Sequence, residues 1–271
     1  MRELLDEPSR PPEFVEALAK GLAVLECFDA ANSEMTLSEI ARRVSLSPAA
    51  ARRSLITLAA LGYVGQAGRR FHLKPKVMSL GSTFYFAARI DELLLPELRQ
   101  IVETFGDASS VAALDGHDVI YIAHYSTQRA RRASAAVGAR YPAHATSLGR
   151  VLLAGLPDAE LDRYFETVEP TALTARTVTS KEELRQIVCE ARELGYATAV
   201  DQLDYGITAL AVPVSGADGA TIAALNSSGY SGMVTTDQLV VERLQRLRIA
   251  ATRITAATVR YPLIASVLGG H

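Results

Sequence analysis

Two short neighbouring stretches near the amino end carry hydrophobic residues at helical spacing. Leu37, Ile40, Ala41 and Val44 form the first set, and Ala51, Leu55, Leu58 and Ala59 the second. A period of three to four residues predicts two helices, each with one inward face. Polar residues mark their ends. Thr36 and Glu39 make a capping box, in which hydroxyl and carboxylate each answer an orphan backbone N–H. Ser47 before Pro48 reads as an N-cap followed by a proline at the first helical position. Val44-Ser45-Leu46 supplies the turn between the helices, and Gly62 ends the second. Residues 63–66 and 70–73 then read as strands around Ala67-Gly68-Arg69. Upstream, Val15, Leu18, Leu22, Leu25 and Cys27-Phe28 predict a first helix whose apolar stripe packs on this pair. The order describes a winged helix-turn-helix over 14–76, preceded by a charged, proline-containing tail at 1–13 that is expected to be mobile.

The pattern continues through a second, larger unit. Residues 77–90 read as a linker helix despite Gly81, with Phe84, Tyr85 and Phe86 as packing residues or as a contact between copies of the chain. An amphipathic helix over 91–105 follows. Strands at 109–114 and 118–124 form a hairpin around Asp115-Gly116-His117, and 133–137 is expected to pair alongside. Helices are predicted at 148–154, 159–165 and 181–194, the last opened by a Ser180/Glu183 capping box. Strands return at 196–200, 209–214 and 220–225, before a long helix at 237–259. Strands at both ends with helices between them indicate an α+β domain over 91–271 rather than a doubly wound one.

Charge changes the picture. Between 36 and 76 the chain has eight basic side chains and one acid, a net of +7, whereas the rest holds 20 basic and 29 acidic residues, a net of −9. Such a concentrated cationic patch suits attraction to phosphates. Hydrophobic packing leaves Arg42 and Arg43 outside on the first helix of the pair, and Ala49, Ala50, Arg52, Arg53 and Thr57 outside on the second. A helix presenting guanidiniums beside small side chains fits a DNA major groove. Ser47, Ala49, Arg52 and Arg53 are the expected groove residues, with Arg69 and Arg70 on the wing for phosphate or minor groove. The alternatives are a merely solvated surface and, for Arg53, a structural brace between the helices.

Other chemistry is sparse. Cys27 and Cys189 lie far apart without a Cys-x-x-Cys pattern, so neither metal nor disulfide is indicated. No Rossmann glycine fingerprint and no P-loop occur, so no cofactor is expected. Gly229-Tyr230-Ser231-Gly232 lacks the spacing of a nucleophile elbow, which leaves an enzyme with an accessory DNA-binding unit as the weaker rival. No apolar run reaches the roughly 18 residues of a membrane span, and the acidic start is unlike a signal peptide, so a cytoplasmic location without membrane attachment is expected.

Several segments together, SLSPAAARRSLITLAALGYVGQAGRRFHLKPKVMSLG, VGARYPAHATSLGRVLLAGLP, GYATAVDQLDYGITALAVPV and AALNSSGYSG, resemble the IclR family of bacterial transcriptional regulators across nearly the whole chain. FVEALAKGLAVLECFD, PAAARR and TQRARRASAAVG look most like its regulators of the β-ketoadipate pathway, which control protocatechuate and 4-hydroxybenzoate catabolism. The resemblance implies a winged helix-turn-helix, a linker helix and a GAF-like effector-binding domain, assembled as homodimers or tetramers on a double-stranded operator. Carried over by position, it points to an effector pocket of Tyr141, Ser147, Leu148, Asp201, Gln202, Ile207, Ala209, Asn226 and Ser228. Ser147 and Leu148 open a helix, where N–H groups and dipole favour a carboxylate. The chain departs from the family at Gln202, where an acid is common, and at Ala209, where a small polar residue or Cys is common. An aromatic acid also needs a cation or several donors, for which Arg131, Arg132, His124 and His144 are the candidates. The expected function is a ligand-responsive regulator of a catabolic operon. A different small carboxylate as ligand, or a DNA-binding scaffold without one, stays open.

Overall fold

The computed structural model describes residues 11–29, 31–87, 89–127, 135–261 and 268. The chain divides into two compact units, Met1–Phe84 and Tyr85–His271. In the first, helices α1 (Glu16–Glu26), α2 (Leu37–Arg43) and α3 (Pro48–Ala60) pack with a three-stranded antiparallel sheet. Its strands are β1 (Glu34–Thr36), β2 (Val64–Ala67) and β3 (Arg70–Leu73), in the order β1-β3-β2. Both caps form as expected: Thr36 and Glu39 close a reciprocal box at α2, and the Ser47 hydroxyl accepts the Ala50 N–H at α3. The core gathers Val24, Cys27, Met35, Ile40, Val44, Leu55, Leu58 and Val64.

Three expectations for this unit are corrected. The α1 stripe is rotated: Val24 and Cys27 are buried, whereas Val15, Leu18 and Leu22 are exposed. Ala59 lies outside on α3, because the inward face runs through Ala51, Leu55 and Leu58. Strand β1 was not expected, since three residues carry no readable alternation; it exists through its antiparallel pairing with β3, Met35 opposite Phe71.

Helix α4 (Met78–Ala87) carries the chain from one unit into the next. The single helix expected over 91–105 is two, α5 (Ile90–Leu93) and α6 (Leu95–Phe105), with Pro96 in the first turn of α6. A proline there removes a donor that the preceding helix would need, so the break falls at Leu94.

The second unit is built on a six-stranded sheet, entirely antiparallel, of order β6-β5-β4-β9-β8-β7. The strands are β4 (Ala108–Asp115), β5 (Asp118–Ser126), β6 (Arg140–Pro142), β7 (Ala197–Val200), β8 (Ile207–Ser215) and β9 (Thr221–Tyr230). The strand beside β5 is β6, pairing Val119 with Tyr141, and not the segment at 133–137. Of that segment, residues 133 and 134 lie outside the described residues, and 135–137 form no strand.

Side-chain size alternates with the pleat. Val111, Ala113, Leu210, Val212, Ala223 and Leu225 face α6 and the long α10 (Thr236–Arg260). Ala112, Ala211 and Ala224 face α7 (Ser147–Ala154), α8 (Asp158–Thr167) and α9 (Lys181–Leu194). Alanines on one face let α7 approach closely, and every residue of α7 is buried. Helices therefore cover both faces of an α+β antiparallel sheet, which is why its strands read as near-continuous apolar runs. At α9 only half the expected box forms: the Ser180 hydroxyl accepts the Glu183 N–H but donates to Glu182.

Candidate functional site

Two surfaces hold the residues singled out in the sequence. On the first unit, Ala49, Arg52, Arg53 and Thr57 share the exposed face of α3, and Ala50 is half-buried at its start. Arg52 and Arg53 form no ion pair or side-chain hydrogen bond among the described residues, so both guanidiniums are available, and no brace from Arg53 to α2 exists. Thr57 donates to the Arg53 carbonyl at 3.1 Å. The other cations divide. Arg43 is held by Asp29, and Arg70 donates to the Glu34 carbonyl at 3.0 Å with Glu39 at 3.9 Å. Arg42 and Arg69 stay exposed. Arg70 thus ties the wing to β1 and α2, a structural task that its place beside the hairpin turn did not reveal.

The second unit contains a cavity of about 540 Å³ between the amino end of α7, the strands β4, β8 and β9, and the loop after β7. Tyr141, Ser147, Gln202, Ile207, Ala209, Asn226 and Ser228 line it, as does His124. Three expected residues face elsewhere. Leu148 is fully buried in the core beneath α7. His144 is buried, its Nε2 3.1 Å from the Thr171 carbonyl. Asp201 accepts the Gly206 N–H and the Ser231 hydroxyl, with Arg176 at 4.0 Å, so its carboxylate holds the loop together. Arg131 and Arg132 lie outside the described residues. Ser110, Tyr121, Asp204 and Tyr230 also line the cavity and were missed. Only the β4–β9 register, which sets Ser110 opposite Asn226, brings residues so distant in sequence together.

The polar groups of the cavity are arranged by their partners outside it. Asn226 Oδ1 accepts the Ser110 N–H at 2.8 Å, and Ser110 Oγ lies 2.9 Å from His124 Nδ1. The Ser147 hydroxyl is buried and has no partner among the described residues. Behind the wall, Arg150 is 3% exposed on α7. Its guanidinium donates to the carbonyls of Thr198 at 2.8 Å and His144 at 3.3 Å, and to Gln202 Oε1. Burial pushes its pKa down to about 10, with Glu183 opposing the shift, so it is still a cation near neutrality. The sequence carried a signal for Arg150 that was passed over, one charge inside the apolar run SLGRVLLA.

Burial also lowers the pKa of His124 and of His144, the latter assisted by the Arg150 charge and opposed by its bond to Thr171. A histidine with a folded value below its unfolded value of 6.5 takes up its proton more readily when unfolded. Stability is therefore lost as pH falls below about 6.5, whereas the lowered carboxylates Asp29, Glu39, Glu182 and Asp201 act only nearer pH 4. Urea unfolding of the second unit is expected to show a lower midpoint at pH 5.5 than at 7.5. His144→Gln is expected to flatten that slope; an unchanged slope would assign it to other groups.

Residues 87–256 match the bacterial transcriptional regulator IclR C-terminal domain, and residues 17–68 match the IclR helix-turn-helix domain. The chain belongs to the IclR family. Among its IclR relatives, the Pca regulon regulatory protein of Pseudomonas putida is 35% identical over 89% of this chain and 83% of that one. The p-hydroxybenzoate hydroxylase transcriptional activator of Acinetobacter baylyi is 30% identical over 92% and 93%. Among solved structures, an IclR homologue from Microbacterium hydrocarbonoxydans complexed with 4-hydroxybenzoate superposes with a TM-score of 0.73 at 25% identity, over 90% of this chain and all of that one. The relatives are named as regulators of transcription, not enzymes, and this IclR chain is a DNA-binding transcriptional regulator with a small-molecule effector domain. Among the described residues no helix is long and apolar enough to cross a membrane.

Proposed function

We propose that this IclR-family regulator controls a catabolic operon in response to an aromatic carboxylate such as 4-hydroxybenzoate or protocatechuate. The observation that carries the reading is Ser147, whose hydroxyl is buried and unpartnered among the described residues, in the wall of a cavity of about 540 Å³ at the amino end of α7. An orphaned buried hydroxyl is costly unless a ligand completes it. Its place at a helix start, where free N–H groups and the helix dipole favour negative charge, suits a carboxylate. Tyr121, Tyr141, Ile207 and Ala209 supply flat and apolar wall for a ring, and the volume is that of a small-ligand pocket. The names of the two relatives, and the ligand of the Microbacterium homologue, support the same class.

On the DNA side, Arg52 and Arg53 with Ala49 read bases in the major groove, Ser47 sets the start of the reading helix, and Arg42, Arg69 and the tethered Arg43 and Arg70 meet phosphates. The chain works in the cytoplasm as a homodimer that can pair into a tetramer. Phe84 and Phe86, exposed on α4, are the contact residues, and two reading helices span half-sites one or more DNA turns apart. The ligand acts through its differential affinity for two arrangements of the assembly. Calorimetric titration with 4-hydroxybenzoate, protocatechuate and pyruvate, paired with gel retardation of the upstream promoter fragment, tests the reading. The expected result is saturable binding of at least one aromatic acid and altered retardation on its addition. Retained DNA binding with no heat from any of the three would overturn it.

A further inference from the structure

Two amides in the cavity have their oxygens already engaged from within the protein. Gln202 Oε1 accepts from Arg150 and also from the Val178 N–H at 3.3 Å. A guanidinium and a backbone N–H can only donate, so the atom between them must be the oxygen. Asn226 Oδ1 is held by the Ser110 N–H in the same way. Each side chain is left with its NH2 group, which meets no acceptor among the described residues, and both side chains line the cavity. The wall therefore offers donors where an amide turned the other way would offer acceptors.

The charge behind Gln202 is equally one-sided. Arg150 donates to two carbonyls and an amide, with no carboxylate on its guanidinium among the described residues. The acids nearby form no ion pair or hydrogen bond with it: Asp201 is held by Ser231 and Arg176, Glu183 on the exposed first turn of α9 acts on Arg150 only through space, and Asp204 lines the cavity from an exposed position on the loop. Asp107, on the opposite side, has its own cation in Arg243 at 3.9 Å. A buried cation without a counter-charge raises the potential of the space in front of it.

We propose that Arg150, acting through Gln202, is the specificity determinant of this pocket. The unneutralised guanidinium polarises the Gln202 amide, whose NH2 group meets the ligand, so the cavity selects a carboxylate over a neutral group of the same shape. Arg150 touches no ligand itself; it positions and charges Gln202. A glutamate at 202 would give Arg150 its counter-ion and present oxygens instead of hydrogens, reversing the preference. The inference rests on the ligand reading above for the probe, but its electrostatic core is testable without any ligand.

The experiment uses the full chain and two compounds of one shape, 4-hydroxybenzoate and 4-hydroxybenzamide, titrated by calorimetry. The native protein is expected to favour the acid by at least about tenfold, the margin of a charge-assisted over a neutral hydrogen bond. Gln202→Glu is expected to bring the ratio to about one or below, and Gln202→Met, which keeps the length but removes the donor, to lower it as well. Either variant folded and retaining the native ratio overturns the proposal. Should the native protein take neither compound, the aromatic-acid reading fails on its own, and melting temperatures decide the present inference. A glutamate beside an unneutralised guanidinium has a folded pKa below its unfolded value of about 4.3. Its stabilisation is then fully present above the unfolded value and lost as pH falls through the folded one. The melting-temperature difference, Gln202→Glu minus native, is expected to shrink between pH 6 and pH 3. A difference that grows on acidification, or stays constant, overturns the proposal.

Discussion

Gly149→Ala is expected to remove the ligand site and to destabilise the second unit by about 3 kcal/mol or more, the upper range for forced overpacking. A Cβ at Gly149 would lie 2.1 Å from the Ala143 carbonyl oxygen and 2.4 Å from its Cα. Both obstacles are backbone, so no side-chain rotation relieves them. The Gly149 N–H also donates to the Thr146 hydroxyl at 2.9 Å, the cap that starts α7. Pushing the helix away breaks this cap and displaces Ser147 and Arg150 together. In a domain of this size the melting temperature is expected to fall by roughly 6–12 °C. Gly81→Ala is the control: it sits within α4 with nothing inside 4 Å of its Cβ, and is expected to be neutral or to stabilise by about 0.5–1 kcal/mol. Equal melting temperatures for the two variants would mean that α7 can move off Ala143 at little cost.

The second large effect concerns DNA. Arg52→Ala is expected to cost about 1–3 kcal/mol on the operator and little on random sequence, because a guanidinium that reads a base edge contributes to discrimination. Arg52 is exposed and engaged by no other described side chain, so the substitution removes a contact without disturbing the fold. Arg70→Ala should behave differently. It frees the Glu34 carbonyl and Glu39, loosening the wing, and is expected to weaken every duplex by a similar factor. Fluorescence anisotropy on operator and scrambled duplexes at two salt concentrations separates the cases. Equal losses on both duplexes for Arg52→Ala would remove its base-reading role.

Local signals in the chain were reliable where the interaction is local. Thr36/Glu39, Ser47-Pro48 and the hairpin at Gly68 specify their elements within a few residues, and each formed where expected. Errors arose where tertiary packing chooses between options that the sequence leaves equal. Helix α1 has apolar residues around most of its circumference, so the period alone could not say that Val24 rather than Leu18 turns inward. The site was readable in part for the same reason. Residues on the HATSLG turn, in the loop after β7 and on β8 and β9 could be placed by resemblance, but Leu148 and Asp201 among them, like the cation candidate His144, support the cavity wall from behind. Ser110 was invisible because its importance comes from strand register, which is not a property of the linear chain, whereas Arg150 showed as one charge in an apolar run but its partners did not.

The pairing of β4 with β9 joins residues 108–112 to 224–228, across more than a hundred residues of chain. Contacts so remote are made late, since the loop between them must close first. The β4–β5 hairpin is therefore expected to complete its β9-side edge only once the chain has been made through residue 228. Ser110 and Asn226 meet at that junction, so a small molecule bound there would act as a latch, holding the two halves of the sheet against separation and protecting the newly made protein from proteolysis. Cells supplied with a compound that binds there would then be expected to contain more of the regulator for the same amount of message.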